Sequence, residues 1–147
     1  SGKSCYKSGA EQKLNLLLNN RHSNGYFPKY DGFDLEYYSI TISFLAQLYL
    51  KTNYEDIKTA AEKCIGIMSR FIDSDGYYNS DCMSRRTQYL YPFGLLVFNS
   101  EILQQMINGL RENKILSPLW LDDRYVIPLT NDYLLTSLYS EKIKTGK

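Results

Sequence analysis

The sequence has little of what most metal and catalytic centres use. His22 is the only histidine among 147 residues, which excludes a zinc centre built on several histidines and leaves a Ser-His-Asp triad hard to place. The three cysteines, Cys5, Cys64 and Cys82, are an odd number without metal-site spacing. Asp122-Asp123 has no third carboxylate, so the magnesium-binding DDxxD cluster of isoprenoid enzymes is missing. We therefore expect no metal and no cofactor.

Net charge and long apolar runs are also scarce. The net charge is +1 and charged residues make up 22% of the chain, so no basic field exists to gather nucleic acid or an anionic membrane. No stretch approaches the roughly 20 apolar residues of a membrane span, and no signal peptide is visible. We expect no nucleic-acid partner and no membrane span. The compartment, cytoplasmic or periplasmic, stays open.

The sequence is rich in tyrosine and contains a long repeat. It contains 14 tyrosines, whose flat apolar face and polar tip suit either a half-wet groove or the boundary of a core. Gly25-Tyr26-Phe27 recurs 51 residues later as Gly76-Tyr77-Tyr78, and Tyr38 recurs as Tyr89. The two glycines are expected at turns with positive φ. A repeat of this length with helical patterns indicates an array of helical hairpins.

The spacing of apolar residues predicts two kinds of helix. Residues 36–50 are apolar nearly all round, which predicts an inner helix buried on most sides. Residues 54–72 have apolar side chains at i, i+3, i+4 and i+7 with charges opposite, which predicts an exposed outer helix. Further helices are predicted over 9–20, from about Leu90 through Phe98 with Pro92 in the first turn, over 101–113 and over 131–143.

These patterns predict an all-α fold with about six helices in a single domain over residues 1–147. The helices form three outer–inner hairpins, which cover approximately 7–50, 54–98 and 101–143. The third hairpin is a degenerate copy, in which Trp120 and Asp132-Tyr133 occupy the places of the earlier loop and helix tyrosines.

Hairpins of about 50 residues with a Gly-aromatic loop before the inner helix resemble the (α/α) toroid superfamily. It includes heparinase-type polysaccharide lyases, unsaturated-uronyl hydrolases and glucuronyl C5-epimerases, along with terpene cyclases and prenyltransferases. The resemblance covers roughly residues 9–135. Because six or seven hairpins close a toroid, it implies that three form an arc or half of one, as a portion of a longer chain.

A narrower resemblance is carried by the segments 24–49 and 73–94. They are similar to a stretch in bacterial proteins associated with exopolysaccharide loci. Those proteins have a Ser-Arg-Asn-Thr segment ahead of an aromatic-Pro-aromatic-Gly turn. Here the match is Ser84-Arg85-Arg86-Thr87, with Arg86 in place of Asn.

The resemblance implies where a ligand would bind. In such stacks the loops that lead into the inner helices gather at one end, so segments 24–37, 75–89 and 119–133 are expected to line one mouth. Aromatic faces suit sugar rings, and an arginine pair suits the carboxylate of a uronic acid. The expected substrate-binding residues are Tyr26, Tyr37, Tyr77, Arg85, Arg86, Trp120 and Asp123.

Catalysis is left open by these residues. A glycoside hydrolase needs paired carboxylates, whereas a lyase or epimerase acting on uronic acids needs a tyrosine or similar base and an arginine on the carboxylate. The candidate catalytic residues are Tyr38, Tyr89, Asp34 and Glu36.

Each candidate also has a structural interpretation. Tyr38 and Tyr89 share one repeat position, which favours packing residues whose hydroxyls bond to a loop backbone. Asp34 and Glu36 would cap an inner helix. The arginine pair would clamp neighbouring loops through Asp81 or Asp34.

Two functions of different classes follow. The first is a carbohydrate-binding or polysaccharide-processing domain of a bacterial protein, which binds a glycan at the mouth. The more specific form of this hypothesis is a glycan that contains uronic acid. The alternative is a non-catalytic helical-repeat scaffold whose concave face binds a protein partner through an exposed apolar patch. If the arc is half of a toroid, its exposed helical edge predicts a homodimer.

Overall fold

The computed structural model describes residues 2–20, 27, 33–83, 86–121 and 124–145, and within these ranges it is helical without a strand. Its helices are α1 (Gly2–Asn19), α2 (Leu35–Thr52), α3 (Glu55–Met68), α4 (Phe93–Val97), α5 (Ile102–Arg111) and α6 (Val126–Thr145). Two short 3₁₀ turns, Ser80–Cys82 and Pro118–Trp120, precede α4 and α6. The all-α prediction is confirmed, and the arrangement as part of a toroid stays a prediction. No helix in these ranges is long and apolar enough to cross a membrane.

Helix α2 is the centre of the core and contacts both α3 and α4. It begins after Asp34, whose carboxylate accepts a hydrogen bond from the backbone N–H of Tyr37 at 3.3 Å. It ends at Asn53, which takes the left-handed conformation with φ 53° that closes many helices. Its buried residues spread around about half of the helix circumference, from Leu45 through Ile42 to Glu36. The predicted inner helix is confirmed.

Helix α3 packs on α2 through one face only. Its buried residues are Ile57, Ala60, Ala61, Cys64 and Met68. The charged side chains of Glu55, Glu62 and Lys63 are exposed on the other side, as the apolar spacing predicts. The helix ends earlier than the predicted residue 72 because the backbone tightens into i→i−3 hydrogen bonds, such as Phe71 N–H to the carbonyl of Met68.

Helix α4 is much shorter than predicted. It starts at Phe93 instead of Leu90, because a residue that precedes a proline, here Tyr91, avoids helical geometry. It stops near Asn99, which has φ 49°. Gly94 allows α4 to touch the α2 backbone, since a Cβ at this position would lie 2.6 Å from the carbonyl oxygen of Ile42.

Helices α5 and α6 lie in the range of the predicted third hairpin, 101–143. Helix α5 agrees with its predicted range and buries Ile102 and Met106. Helix α6 begins at Val126 instead of the predicted residue 131, so Pro128 lies in its first turn, where the missing N–H has no helical partner to lose. Helix α6 packs against α4 through a narrow buried face.

Candidate glycan-binding site at the loop end of the helices

The described parts of the segments that precede α2, α4 and α6 lie side by side. The backbone N–H of Leu116 donates to the carbonyl of Gln88 at 2.6 Å, which joins the segment before α6 to the segment before α4. Tyr78, which also precedes α4, lies close to Asp34 and Glu36. Burial is the largest cause that raises the pKa of Tyr78, and the charges of Asp34 and Glu36 raise it further. The rings of Tyr89 and Tyr125 lie 6.1 Å apart between centroids, so described residues of the three predicted mouth segments, 24–37, 75–89 and 119–133, are neighbours.

A shallow recess opens beside Trp120. Its volume is about 320 Å³, and it is lined by Asn113, Ile115, Leu116 and Trp120. The Trp120 side chain is 73% exposed. The hydroxyl of Ser117 accepts a hydrogen bond from the N–H of Leu119 at 3.2 Å and so caps the 3₁₀ turn that carries the indole. The recess combines a flat aromatic face with a polar amide from Asn113.

Asn113 reaches this recess through an unusual backbone conformation. It follows the last turn of α5 and has φ 58°, in the left-handed region that asparagine tolerates better than most residues. The next residue, Lys114, donates its backbone N–H to the carbonyl of Gly109 at 2.8 Å, which closes the C-terminal end of α5. The direction of the chain after α5 thus depends on a residue that also lines the recess.

Arg86 is exposed in the segment that precedes α4. Its guanidinium forms an ion pair with Asp81 at 3.2 Å, and because both residues belong to the segment before α4, this pair does not connect neighbouring loops. Arg86 is two residues before Gln88, and extended backbone advances about 3.3 Å per residue, which keeps it near the contact with Leu116. An exposed ion pair contributes little to stability, so the guanidinium can exchange Asp81 for the carboxylate of a ligand.

Tyr77 is exposed on a turn that is anchored to the end of α5. The Tyr77 backbone N–H donates to the Asp75 carboxylate at 3.1 Å, and the Lys114 ammonium lies 2.5 Å from the same carboxylate. The hydrogen bond from Lys114 is the main cause that lowers the pKa of Asp75, and Asp75 in turn raises the pKa of Lys114. Gly76 has φ 80°, which confirms the turn predicted there.

The four catalytic candidates, Asp34, Glu36, Tyr38 and Tyr89, lie in the interior. Asp34 caps α2, as its structural interpretation states. The Tyr38 hydroxyl donates to the carbonyl of Phe27 at 3.4 Å, which agrees with a packing role bonded to a loop backbone. A catalytic role for these residues stays a prediction.

Asp132 is a buried acid that the sequence reasoning did not select as a site residue. Its carboxylate accepts hydrogen bonds from the backbone N–H of Phe93 at 2.8 Å and from the hydroxyl of Ser43, so it joins α6 to α4 and α2. Burial raises its pKa, and the two hydrogen bonds oppose that rise. A signal was present, because Asp132 lies at the start of the predicted helix 131–143, where the other repeats have a tyrosine, and a charged residue that becomes buried there must be paired.

Tyr78 and Tyr133 form the polar interior beside this acid. The Tyr78 hydroxyl donates to the carbonyl of Thr87 at 2.9 Å, and within the described chain the buried Tyr133 hydroxyl has no hydrogen-bond partner. Burial raises the pKa of both tyrosines well above the ordinary value. Both hydroxyls therefore stay protonated near neutral pH and remain hydrogen-bond donors.

The remaining predicted binding residues are placed as follows. Tyr37 is half-buried in the first turn of α2. Tyr26, Arg85 and Asp123 lie outside the residues that the structure describes. In the part of the chain that is described, no three His, Cys, Asp or Glu side chains come together as a metal-ligand group.

Comparison of the chain with protein-family models, curated proteins and solved structures finds no match.

Proposed function

We propose that this chain binds a glycan at the loop end of its helices, with the Trp120 recess as the place where a sugar ring stacks. The observation that carries the proposal is a highly exposed indole, held on a capped turn, beside a recess of about 320 Å³. An aromatic ring supplies apolar contact with the face of a sugar, while the Asn113 amide supplies donors and an acceptor for its hydroxyls. The recess is open, which suits an internal unit of a long polymer.

Arg86 is the reason that we expect the site to prefer an acidic glycan. A guanidinium binds a carboxylate through two parallel hydrogen bonds, which a neutral sugar does not offer. Arg86 is exposed, and among the described residues it forms a surface ion pair with Asp81. A uronic-acid unit next to the sugar on Trp120 would therefore meet a cation. The proposal covers binding, and it assigns no bond-breaking step.

The experiment is a calorimetric titration with matched neutral and uronic-acid oligosaccharides. Trp120→Ala is expected to reduce the affinity at least tenfold, because the stacking face is lost. Leu119→Ala is the matched control, since Leu119 is the neighbouring residue, is 93% exposed and does not line the recess. Equal loss in both variants, or no loss in Trp120→Ala, would overturn the placement of the site.

The scaffold alternative is favoured by a different observation, the exposed apolar face of α6, where Ile127, Leu134 and Leu138 are uncovered. Such a face is expected on a helix that packs against another protein. A folded sample that binds none of the oligosaccharides but binds a different protein through α6 would support the scaffold in place of the glycan-binding domain.

A further inference from the structure

Helix α6 is apolar on two opposite sides. Leu129 is buried on the side that faces the core, whereas Ile127, Leu134 and Leu138 are 76%, 58% and 65% exposed. At about 100° per residue, these three residues lie within about 40° of one another and roughly opposite Leu129. The exposed side is thus an apolar stripe that is interrupted at Asn131.

The exposed side of α6 is also free of charge over its first four turns. The only charged residue from Val126 to Ser140 is Asp132, and it is buried. The solvent side of α3 is different, because it has exposed Glu55, Glu62 and Lys63. Depletion of charge together with exposed large apolar side chains distinguishes the core of an interface from ordinary surface.

The spacing of the stripe matches helix-on-helix packing. Ile127, Asn131, Leu134 and Leu138 follow one another in steps of four, three and four residues, the spacing of the contact seam between two paired helices. Asn131 is exposed and polar in an otherwise apolar seam. A polar residue in such a seam lowers the stability of the helix pair.

We propose that α6 pairs antiparallel with α6 of a second copy of this chain. One register places Ile127 opposite Leu138 of the second copy and Asn131 opposite its Leu134, around a two-fold axis. The same register brings Glu141 level with Arg124 and with the N-terminal end of α6 in the other copy. Opposite charges meet there twice, and a carboxylate is favoured at a helix N-terminus. This complementarity with itself favours a second copy over an unrelated helix.

The seam is short, which sets the strength of the expected association. From Ile127 to Leu138 it spans about 16 Å of helix. An interface of one helix on another is at the small end of specific interfaces, so we expect a monomer–dimer equilibrium that depends on concentration. The inference goes beyond glycan binding and does not depend on it.

Sedimentation velocity over a wide concentration range tests the surface. The unchanged protein is expected to shift from monomer to dimer as concentration rises, while Leu134→Lys and Leu138→Lys stay monomeric. Phe44→Lys is the matched control, because Phe44 is 62% exposed on α2 and lies outside the seam. Far-ultraviolet circular dichroism confirms that each variant is folded. A folded, unchanged protein that stays monomeric throughout would overturn the proposal and leave the face to a different partner.

Disulfide cross-linking tests the register. Ile127→Cys with Leu138→Cys in one chain is expected to give a covalent dimer on mild oxidation, well above the background that the native cysteines give in the unchanged protein. Ile127→Cys alone should stay near that background, because the two copies of residue 127 lie at opposite ends of the seam. Equal cross-linking by the single and double variants, or a dimer insensitive to both lysine substitutions, would refute the antiparallel pairing.

Discussion

The hydroxyl of Tyr78 donates to the backbone carbonyl of Tyr89 at 3.5 Å in the second repeat. In the first repeat the direction is reversed, since Tyr38, the counterpart of Tyr89, donates to the carbonyl of Phe27, the counterpart of Tyr78. The direction of the hydrogen bond is reversed because Phe27 has no hydroxyl to donate. The same two repeat positions thus contact each other in both repeats.

The tyrosine hydrogen bonds differ in strength, so the two Tyr→Phe variants are expected to lose different amounts of stability. Tyr78→Phe should lower the free energy of unfolding by about 1 kcal/mol or more, because the buried hydroxyl also donates to Thr87 at 2.9 Å. Tyr38→Phe should lower it less, because its contact with Phe27 is long at 3.4 Å. Urea unfolding of both variants measures the order, and a larger loss in Tyr38→Phe would contradict it.

Two glycines predict opposite effects of the same substitution. Gly76→Ala should destabilise by about 3 kcal/mol or more, because φ is 80° and a Cβ would lie 2.2 Å from the carbonyl oxygen of Gln105. Gly66→Ala should stabilise by about 0.5–1 kcal/mol, because Gly66 lies in α3 with nothing within 4 Å of the added Cβ. Thermal or urea unfolding gives both values, and similar changes in the two variants would show that the turn is not constrained as described.

Asp132 predicts a pH-dependent stability. Burial raises its pKa in the folded state, so the folded state binds the proton more tightly than the unfolded state does. The contribution of Asp132 to the free energy of unfolding therefore falls as pH rises from the ordinary carboxyl pKa through the raised one. Asp132→Asn should remove this slope while its amide still bonds to Phe93 and Ser43.

The control for Asp132→Asn is Asp132→Ala, which leaves the backbone N–H of Phe93 and the hydroxyl of Ser43 without their acceptor. We expect it to lose about 2–4 kcal/mol. Unfolding curves at several acidic pH values measure both effects. A difference between the unchanged protein and Asp132→Asn that is the same at every pH would mean that Asp132 is not the titrating group.

Arg86 predicts the selectivity of binding. Arg86→Gln should weaken the binding of a uronic-acid oligosaccharide about tenfold and leave a neutral one nearly unchanged. Arg70→Gln removes the same charge from an exposed position at the end of α3 and serves as control. If both variants weaken acidic-glycan binding equally, net charge and not a specific contact determines the preference.

The periodicity of apolar residues made the long helices predictable. The ends of the helices were less predictable, because they depend on local backbone conformations. The faces of α2 and α3 follow from apolar spacing, because burial repeats with the helical turn. The end of α4 does not, because it depends on the left-handed conformation of Asn99, which the sequence permits but does not require. The early start of α6 was missed because a proline in the first turn reads equally well as a loop residue.

The site was only partly predictable for the same kind of reason. Trp120 was selected as an aromatic in a loop, but the recess beside it depends on Asn113 and Leu116, which are placed by the end of α5 and by the contact with Gln88. Asp132 acquires its partners only when α2, α4 and α6 have assembled. Contacts between segments that are distant in the chain leave no periodic signal.

The most direct measurement of the central claim is a fluorescence titration of Trp120 with a uronic-acid oligosaccharide. Trp120 is the only tryptophan and is 73% exposed, so its emission reports on the proposed stacking face alone. A glycan that covers the indole should shift the emission to shorter wavelength and reduce quenching by acrylamide, both in a saturable manner. Unchanged emission and quenching in a folded sample, at oligosaccharide concentrations that saturate ordinary lectin-like sites, would contradict the proposal that this chain binds a glycan at Trp120.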